Sequence, residues 1–497
     1  MQLGRQAHGA YMYLPTVAVL VVAVIVRSMS WLDTDVSCLI TLAEKVLDGA
    51  KPYVDFDEFN LPASVLLYVP EVVIGRWLGV APEAIVTISV FGATAASLWL
   101  TGRILTASSL LARQDSVILL PAAFGILLIL PEDAFGQREH IAAIAILPIL
   151  AIYSSRVANK TVHSWHAIVA GMCASLAMSL KPHFALALLL PLLYSAWQHR
   201  KEFKKAAAIL LSLENVVILA FLLVYAALIV LAFPDYLQKM LPIIVAVYAP
   251  ARLPWQTLLS SLTILLAPIG LAAAGIIGGR TALKPLPLVF VLAATGFWLA
   301  ALIQGKGWPY QGYPAIALIL MVLCAIVDMR WSDVKAQAAP RLEAWALSSA
   351  VLVGAFYFVA SAWFWPPTWY PPFVAEVSHL APPNPRIATI CGGPELAFPV
   401  VRVLHGTSVG EILLINIAAL RLSATQKLDQ AQQRVVESYA LAERRAFVRS
   451  IVKNRPNVLI VASGLKAWAF SQLEIAAVLR KYHRVAGSNI AEIWLPN

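Results

Sequence analysis

The stretch Trp31–Pro62, WLDTDVSCLITLAEKVLDGAKPYVDFDEFNLP, decides how the remainder of the chain is read. It follows the first long apolar run and holds Asp33, Asp35, Glu44, Asp48, Asp55, Asp57 and Glu58, in a protein where only 13% of residues are charged. Carboxylates are costly near hydrocarbon, so acidic residues placed where a membrane helix surfaces are functional candidates. Within the stretch, Val36–Leu47 has the spacing of a short amphipathic helix. Leu39, Leu42, Ala43 and Val46 share one face, and Gly49 is its stop.

Working outward, the 497 residues are 60% hydrophobic, with a mean hydropathy of +0.76. Soluble domains carry about 25% charged residues, so that class is excluded. The apolar residues fall in runs of roughly 17–25, the length that crosses a hydrocarbon core of about 30 Å. Lipid offers the backbone no partners, so each run is expected to be a helix. No small-residue cleavage site precedes the acidic loop, and the first run is expected to be retained rather than removed as a signal peptide. The formal charge of +10 follows from basic loops on one side of the membrane, not from nucleic-acid binding. Cys38, Cys173, Cys324 and Cys391 are scattered with no CxxC pair, which indicates neither a disulfide framework nor a zinc site.

The pattern predicts a polytopic α-helical membrane protein with about eleven transmembrane helices. The first runs from about Tyr11 to Ser30. Others are expected near 84–102, 115–131, 141–155, 165–180, 184–197, 206–233, 256–278, 285–303, 313–328 and 344–365. Pro62–Leu78, interrupted by Pro70, Glu71 and Arg76, is assigned to the interface. Making it a span would place QHRKEFKK (198–205) outside, against the positive-inside bias. The amino terminus is then inside and the acidic loop outside. After Trp365, PPTWYPP (366–372) is a stiff exit into a small α/β domain, expected outside the membrane. Arg386–Cys391, Val458–Ala462 and Ala491–Leu495 read as its strands, and Leu428–Val452 as its long helix. The predicted division is a membrane domain over 1–365, with 31–83 as its first outer loop, and a soluble domain over 366–497.

Under this topology four polar clusters return to one face: Asp33/Asp35, GQREH (136–140), KPH (181–183) and QGKGWPYQGY (304–313). Asp35 thus faces Arg138, Lys181 and Lys306, beside His183 and Tyr310. A carboxylate opposite several cations is what transfer from an anionic lipid donor needs. The carboxylate accepts a proton from an incoming hydroxyl, and the cations stabilise charge growing on a departing phosphate. Gln137, Glu139, His140, Asp55 and Glu58 are further cavity candidates. Simpler roles stand beside each of these. Asp35 is also placed to cap the helix starting at Val36, and Asp33 to be a solvated neighbour. Arg138 and Glu139 have the spacing of an ordinary ion pair, and Lys181 and Lys306 that of snorkelling residues. His140 and His183 fit bland interfacial positions, and no fixed spacing of carboxylates or cysteines makes them metal ligands. Trp255, Trp308, Tyr310 and Tyr313 fit an aromatic belt.

An outward Asp opening a short helix, followed by LLxGxxPYxDxxExxxP, resembles the first outer loop of the GT-C superfamily of polyprenyl-phosphate-sugar-dependent glycosyltransferases. Here it is Asp35, then KVLDGAKPYVDFDEFNLP from Lys45 to Pro62. The superfamily includes the aminoarabinose and galacturonic acid lipid A transferases and the protein mannosyltransferases. The resemblance covers about 11–365, and the KPH and KGWPY segments are similar to those of bacterial members. It implies a GT-C fold with a soluble outer domain, in a bacterial inner membrane, with the active site facing the periplasm. It further implies sugar transfer with inversion from a polyprenyl-phosphate donor to a lipid, glycan or protein acceptor. Asp35 matches the family's catalytic Asp, with Asp33 completing a DxD-like pair. Arg138, Lys181 and Lys306 match its donor-phosphate cations. Two departures are visible: Gln311 stands where members often carry His, and Glu58–Pro62 replaces the EKPP-like motif of the aminoarabinose enzymes. Members differ on divalent cations, and the DxD-like pair alone does not establish one. Two alternatives remain open at this point. One is a carrier of lipid-linked or anionic substrates, favoured by Glu214 inside a predicted span. The other is a polysaccharide polymerase or ligase using a diphosphate lipid.

Overall fold

A computed structural model describes residues 14–111, 116–336, 370–398, 400–410 and 412–497. The chain divides into two compact units. The first comprises Met1–Trp31, Ala84–Leu228 and Trp255–Trp365; the second comprises Leu32–Glu83, Ile229–Pro254 and Pro366–Asn497.

The first unit is a helical membrane bundle. Among the described residues six helices are long and apolar enough to cross a membrane. Shorter helices, including Leu14–Met29, Ser116–Leu128, Ser164–Leu180 and Ala185–Gln198, occupy further expected spans. The expected span at 344–365 lies outside the described residues. The Arg138–Val157 helix is buried along almost its whole length, packing against Ser164–Leu180, Ala185–Gln198, Pro285–Gln304 and Tyr313–Ala336. Two glycines let helices meet closely. A Cβ on Gly296 would lie 2.3 Å from the Leu186 carbonyl oxygen, and one on Gly171 would lie 2.8 Å from that of Glu214. The expected span 206–233 is instead two helices, Phe203–Leu210 and Leu213–Ala232. The break is held by Asn215, whose amide donates to the Ile209 carbonyl and the Ser212 hydroxyl, both at 3.0 Å.

In the second unit a five-stranded sheet runs in the order β2-β1-β3-β5-β4. The strands are β1 (Arg386–Ile390), β2 (Thr407–Ser408), β3 (Val458–Ala462), β4 (Tyr482–Gly487) and β5 (Ala491–Pro496). β2, β1 and β3 are parallel, and β5 pairs antiparallel with β3 and β4. Alternate residues of β1, β3 and β5 feed apolar clusters on the two faces, one around Ile387, Val458 and Ile493, the other around Ile390, Leu459 and Trp494. The long helix is Gln430–Asn454, opened by an Asp429–Gln432 capping box.

The predicted two-way cut differs from this grouping, because 32–83 and 229–254 are compact with 366–497. Specific contacts explain it. The Arg402 guanidinium grips Glu44 at 2.8 and 3.0 Å and also bonds Glu83. The Lys239 ammonium holds Asp57 at 2.6 Å. Pro62–Leu78 forms two helices, Ala63–Leu66 and Val69–Leu78. At about 1.5 Å per residue the longer of the two covers only about half of a hydrocarbon core of about 30 Å, so neither spans it.

Candidate active site

In the membrane unit, polar side chains from four segments converge. Lys181 ends the Ser164–Leu180 helix with extended backbone, and its ammonium donates to Glu139 Oε1 at 2.6 Å and to Gln304 Oε1 at 3.4 Å. Gln311 donates to the same Gln304 oxygen at 2.8 Å. The Tyr310 ring lies 5.7 Å from the Lys181 ammonium. Lys181 is 6% exposed and Glu139 fully buried, so Lys181 is an interior ion pair and not a snorkelling lysine. Glu139 pairs with it, instead of forming the simple pair with Arg138 that spacing suggested.

His183, two residues on, belongs to the same cluster. Burial first, then the positive charges of Lys181 and Arg138, push its pKa down to about 3, so the ring is neutral at ordinary pH. Arg138 is buried at the first turn of its helix. Lys306, also buried, sits between Gly305 and Gly307, whose φ of +64° and +70° require glycine on either side of it. Three polar groups in this neighbourhood of the chain are buried without a hydrogen-bond partner among the described residues. They are the Gln137 amide, Glu139 Oε2 and His183 Nε2. Buried polar groups are normally satisfied, so loose ones mark a place for a polar ligand.

His140 is different. Its Nδ1 accepts from the Gly136 backbone N–H at 3.0 Å, which leaves Nε2 to donate to the Leu127 carbonyl at 2.6 Å. Both nitrogens are spent on fixing the loop before the helix. Tyr313 is likewise engaged, donating to the Ile126 carbonyl at 2.8 Å.

In the second unit, the helix predicted at Val36–Leu47 runs Thr34–Leu47. Asp33, not Asp35, is its cap: its carboxylate accepts from the Asp35 and Val36 N–H groups at 2.7 and 3.2 Å. Asp35 is left in the first turn, where the helix dipole favours its charge. The helix packs against the Pro394–Leu396 turn of the soluble domain. There Glu395 is raised above the usual carboxylate range by burial, with the Asp35 charge adding to it. Arg402 clamps the same helix through Glu44 and also donates to the Thr41 hydroxyl at 3.0 Å. Asp55 and Glu58 serve the loop itself: Asp55 accepts from the Lys51 N–H at 2.7 Å, and Glu58 from the Asn60 N–H at 2.8 Å. Tyr53 is fully buried against Phe233 and Tyr236, its hydroxyl donating to the Asn60 carbonyl.

Arg402 and Glu395 were not singled out from sequence, whereas Gln304 opens the expected cluster at 304–313. Arg402 offered one signal, a lone charge within the apolar run FPVVRVL (398–404). Glu395 offered none, since its neighbours are assembled by tertiary structure. Among the described residues no three His, Cys, Asp or Glu side chains come together to hold a metal ion.

No protein-family model matches the chain, and no curated protein matches it by sequence. Two solved structures match along nearly the full length. The ArnT of Cupriavidus metallidurans in the apo state aligns with a TM-score of 0.58 at 10% identity, covering 98% of each chain. The same protein bound to undecaprenyl phosphate aligns with a TM-score of 0.58 at 12% identity, again over 98% of each. The chain has the fold of ArnT. The fold class expected from the sequence, a polytopic helical membrane protein with a small C-terminal α/β domain, is therefore correct. At 10–12% identity the ArnT likeness describes architecture and carries no residue roles with it.

Proposed function

We propose that the protein is an inverting membrane glycosyltransferase that takes one sugar from a polyprenyl-phosphate donor. It sits in a bacterial inner membrane and acts on a periplasmic lipid, glycan or protein acceptor. The observation that carries this reading is the buried Lys181–Glu139–Gln304 junction, with Arg138 and His183 beside it, in a chain of ArnT fold. A buried lysine whose carboxylate partner keeps one oxygen unpaired is suited to exchange that partner for a phosphate. The solved ArnT complex with undecaprenyl phosphate adds a lipid of matching chemistry.

In the proposed reaction Asp35 removes the proton of the acceptor hydroxyl. The oxygen then attacks the anomeric carbon, and the bond from that carbon to the phosphate oxygen breaks. The polyprenyl phosphate leaves with its electron pair, and Lys181, Arg138 and Lys306 neutralise the charge that develops on it. Asp33 holds Asp35 at the helix start, Tyr310 walls the Lys181 ammonium, and neutral His183 offers a hydrogen bond without adding charge. Arg402, through Glu44 and Thr41, and packing of the Pro394–Leu396 turn fix the helix that carries the base.

The carrier alternative loses its main support. Glu214 is not an open intramembrane acid but is gripped by Arg156 through both oxygens, at 3.0 and 3.1 Å. Incubation of the purified protein with a labelled polyprenyl-monophosphate sugar and a membrane extract tests the proposal. The expected result is label on an acceptor and release of polyprenyl phosphate. Movement of intact donor across a vesicle without transfer, or turnover only with a diphosphate donor, overturns it.

A further inference from the structure

The C-terminal domain contains a chamber of about 360 Å³ between the Leu414–Thr425 and Gln430–Asn454 helices, lined also by Trp468 and Gln472. That volume lies within the range of small-molecule sites. Its floor is built rather than incidental. The Arg444 side chain is 7% exposed, donates from Nη1 to the Asn416 side-chain Oδ1 at 2.8 Å, and pairs through Nη2 with Glu437. Asn416 is in turn locked by its amide, which donates to the Ala440 carbonyl at 2.9 Å and to Glu443 at 2.7 Å. Glu443 is fully committed behind the floor, where it also accepts the Ile415 and Asn416 backbone N–H groups at 2.9 and 2.8 Å.

The Arg444 Nε–H is buried below the chamber surface and is not among the groups a guest can reach. The charged groups that line the chamber, Arg444 and Glu437, cancel each other. That balance disfavours both a small anion, which would meet the Glu437 carboxylate, and a metal ion, which would meet the guanidinium. An apolar guest would strand the polar floor. The remaining lining supplies an indole face from Trp468 and two carboxamides, Gln433 and Gln472, each able to donate and accept.

We propose that this chamber binds a neutral glycosyl unit, apart from the reaction site. The C–H face of the sugar ring packs on Trp468, and its hydroxyls bridge the Gln433 and Gln472 carboxamides. The inference stands on the soluble domain alone and does not depend on the reaction assigned to the membrane unit.

The test uses the full chain in lipid nanodiscs. Methyl glycosides of glucose, galactose and N-acetylglucosamine are titrated by calorimetry and saturation-transfer NMR, with sodium sulfate as the anionic control. At least one glycoside is expected to bind with a Kd of about 1 mM or better. Trp468→Ala is expected to weaken it about tenfold, equivalent to about 1.4 kcal/mol, while Asp35→Asn leaves it unchanged. Gln433→Ala, on an exposed position, is the second variant should Trp468→Ala not fold. No glycoside binding at about 50 mM, far above the expected Kd, overturns the proposal, as does competition by sulfate. Binding lost in Asp35→Asn, or retained in both chamber variants, also overturns it.

Discussion

The Arg138–Val157 helix carries a buried ion pair at each end, and the two are built differently. At its last turn Arg156 holds Glu214 with two parallel bonds, and the glutamate is fully buried with both oxygens used. At its first turn Glu139 meets Lys181 through a single oxygen, while its other oxygen has no partner among the described residues. A bidentate pair is closed and serves packing. An open one is poised to accept a ligand. On the proposed reading, the difference separates structural charge from functional charge inside a membrane bundle, where both look alike in a hydropathy plot.

The largest effect that sharpens this contrast is at the open pair. Lys181→Met is expected to slow transfer at least about tenfold, the usual loss when a transition-state donor is removed. It also strands Glu139 and lowers stability. Lys181→Met combined with Glu139→Gln should recover the melting temperature without recovering transfer, measured on the same sample. Recovery of both would make the open pair structural after all.

Next comes the closed pair. Glu214→Gln should cost about 3 kcal/mol of stability, at the low end for breaking a buried pair because Arg156 is partly exposed. Turnover of the protein that remains folded should be unchanged, and a fall in kcat at constant melting temperature would break the comparison.

The smallest effect is pH-dependent. His183 has a folded pKa of about 3 against an unfolded value of about 6.5. As pH falls below 6.5 the unfolded chain takes up a proton that the folded one refuses, so stability drops progressively toward pH 3. His183→Gln is expected to melt closer to wild type, or above it, at pH 5 than at pH 7.5, as followed by thermal unfolding.

The parts of the fold that were legible in the sequence share one property: their pattern is local. Long apolar runs marked helices, and IATI (387–390) and VLIVA (458–462) marked buried strands. β4 was not recognised because YHRVAG (482–487) is a largely exposed edge strand without an apolar alternation. The two-residue β2 is too short to leave a pattern. In the site, KPH pointed to Lys181 and His183, yet nothing in the sequence tied Lys181 to Glu139, 42 residues away. The cap fell to Asp33 and not Asp35 because the helix begins two residues earlier than its apolar face, at Thr34. The attachment of 229–254 to the first outer loop rests on Lys239 and the Tyr53 pocket, contacts between segments far apart in the chain.

Asp35 is the residue on which the proposed chemistry turns, and Asp35→Asn tests it most directly. The substitution keeps the shape of the first helical turn and leaves the Asp33 cap in place, but removes the proton acceptor. Purified Asp35→Asn, with a wild-type melting temperature, should bind polyprenyl-phosphate sugar normally and transfer it at least about a hundredfold more slowly, as loss of a general base requires. Turnover near that of the wild type would contradict the account.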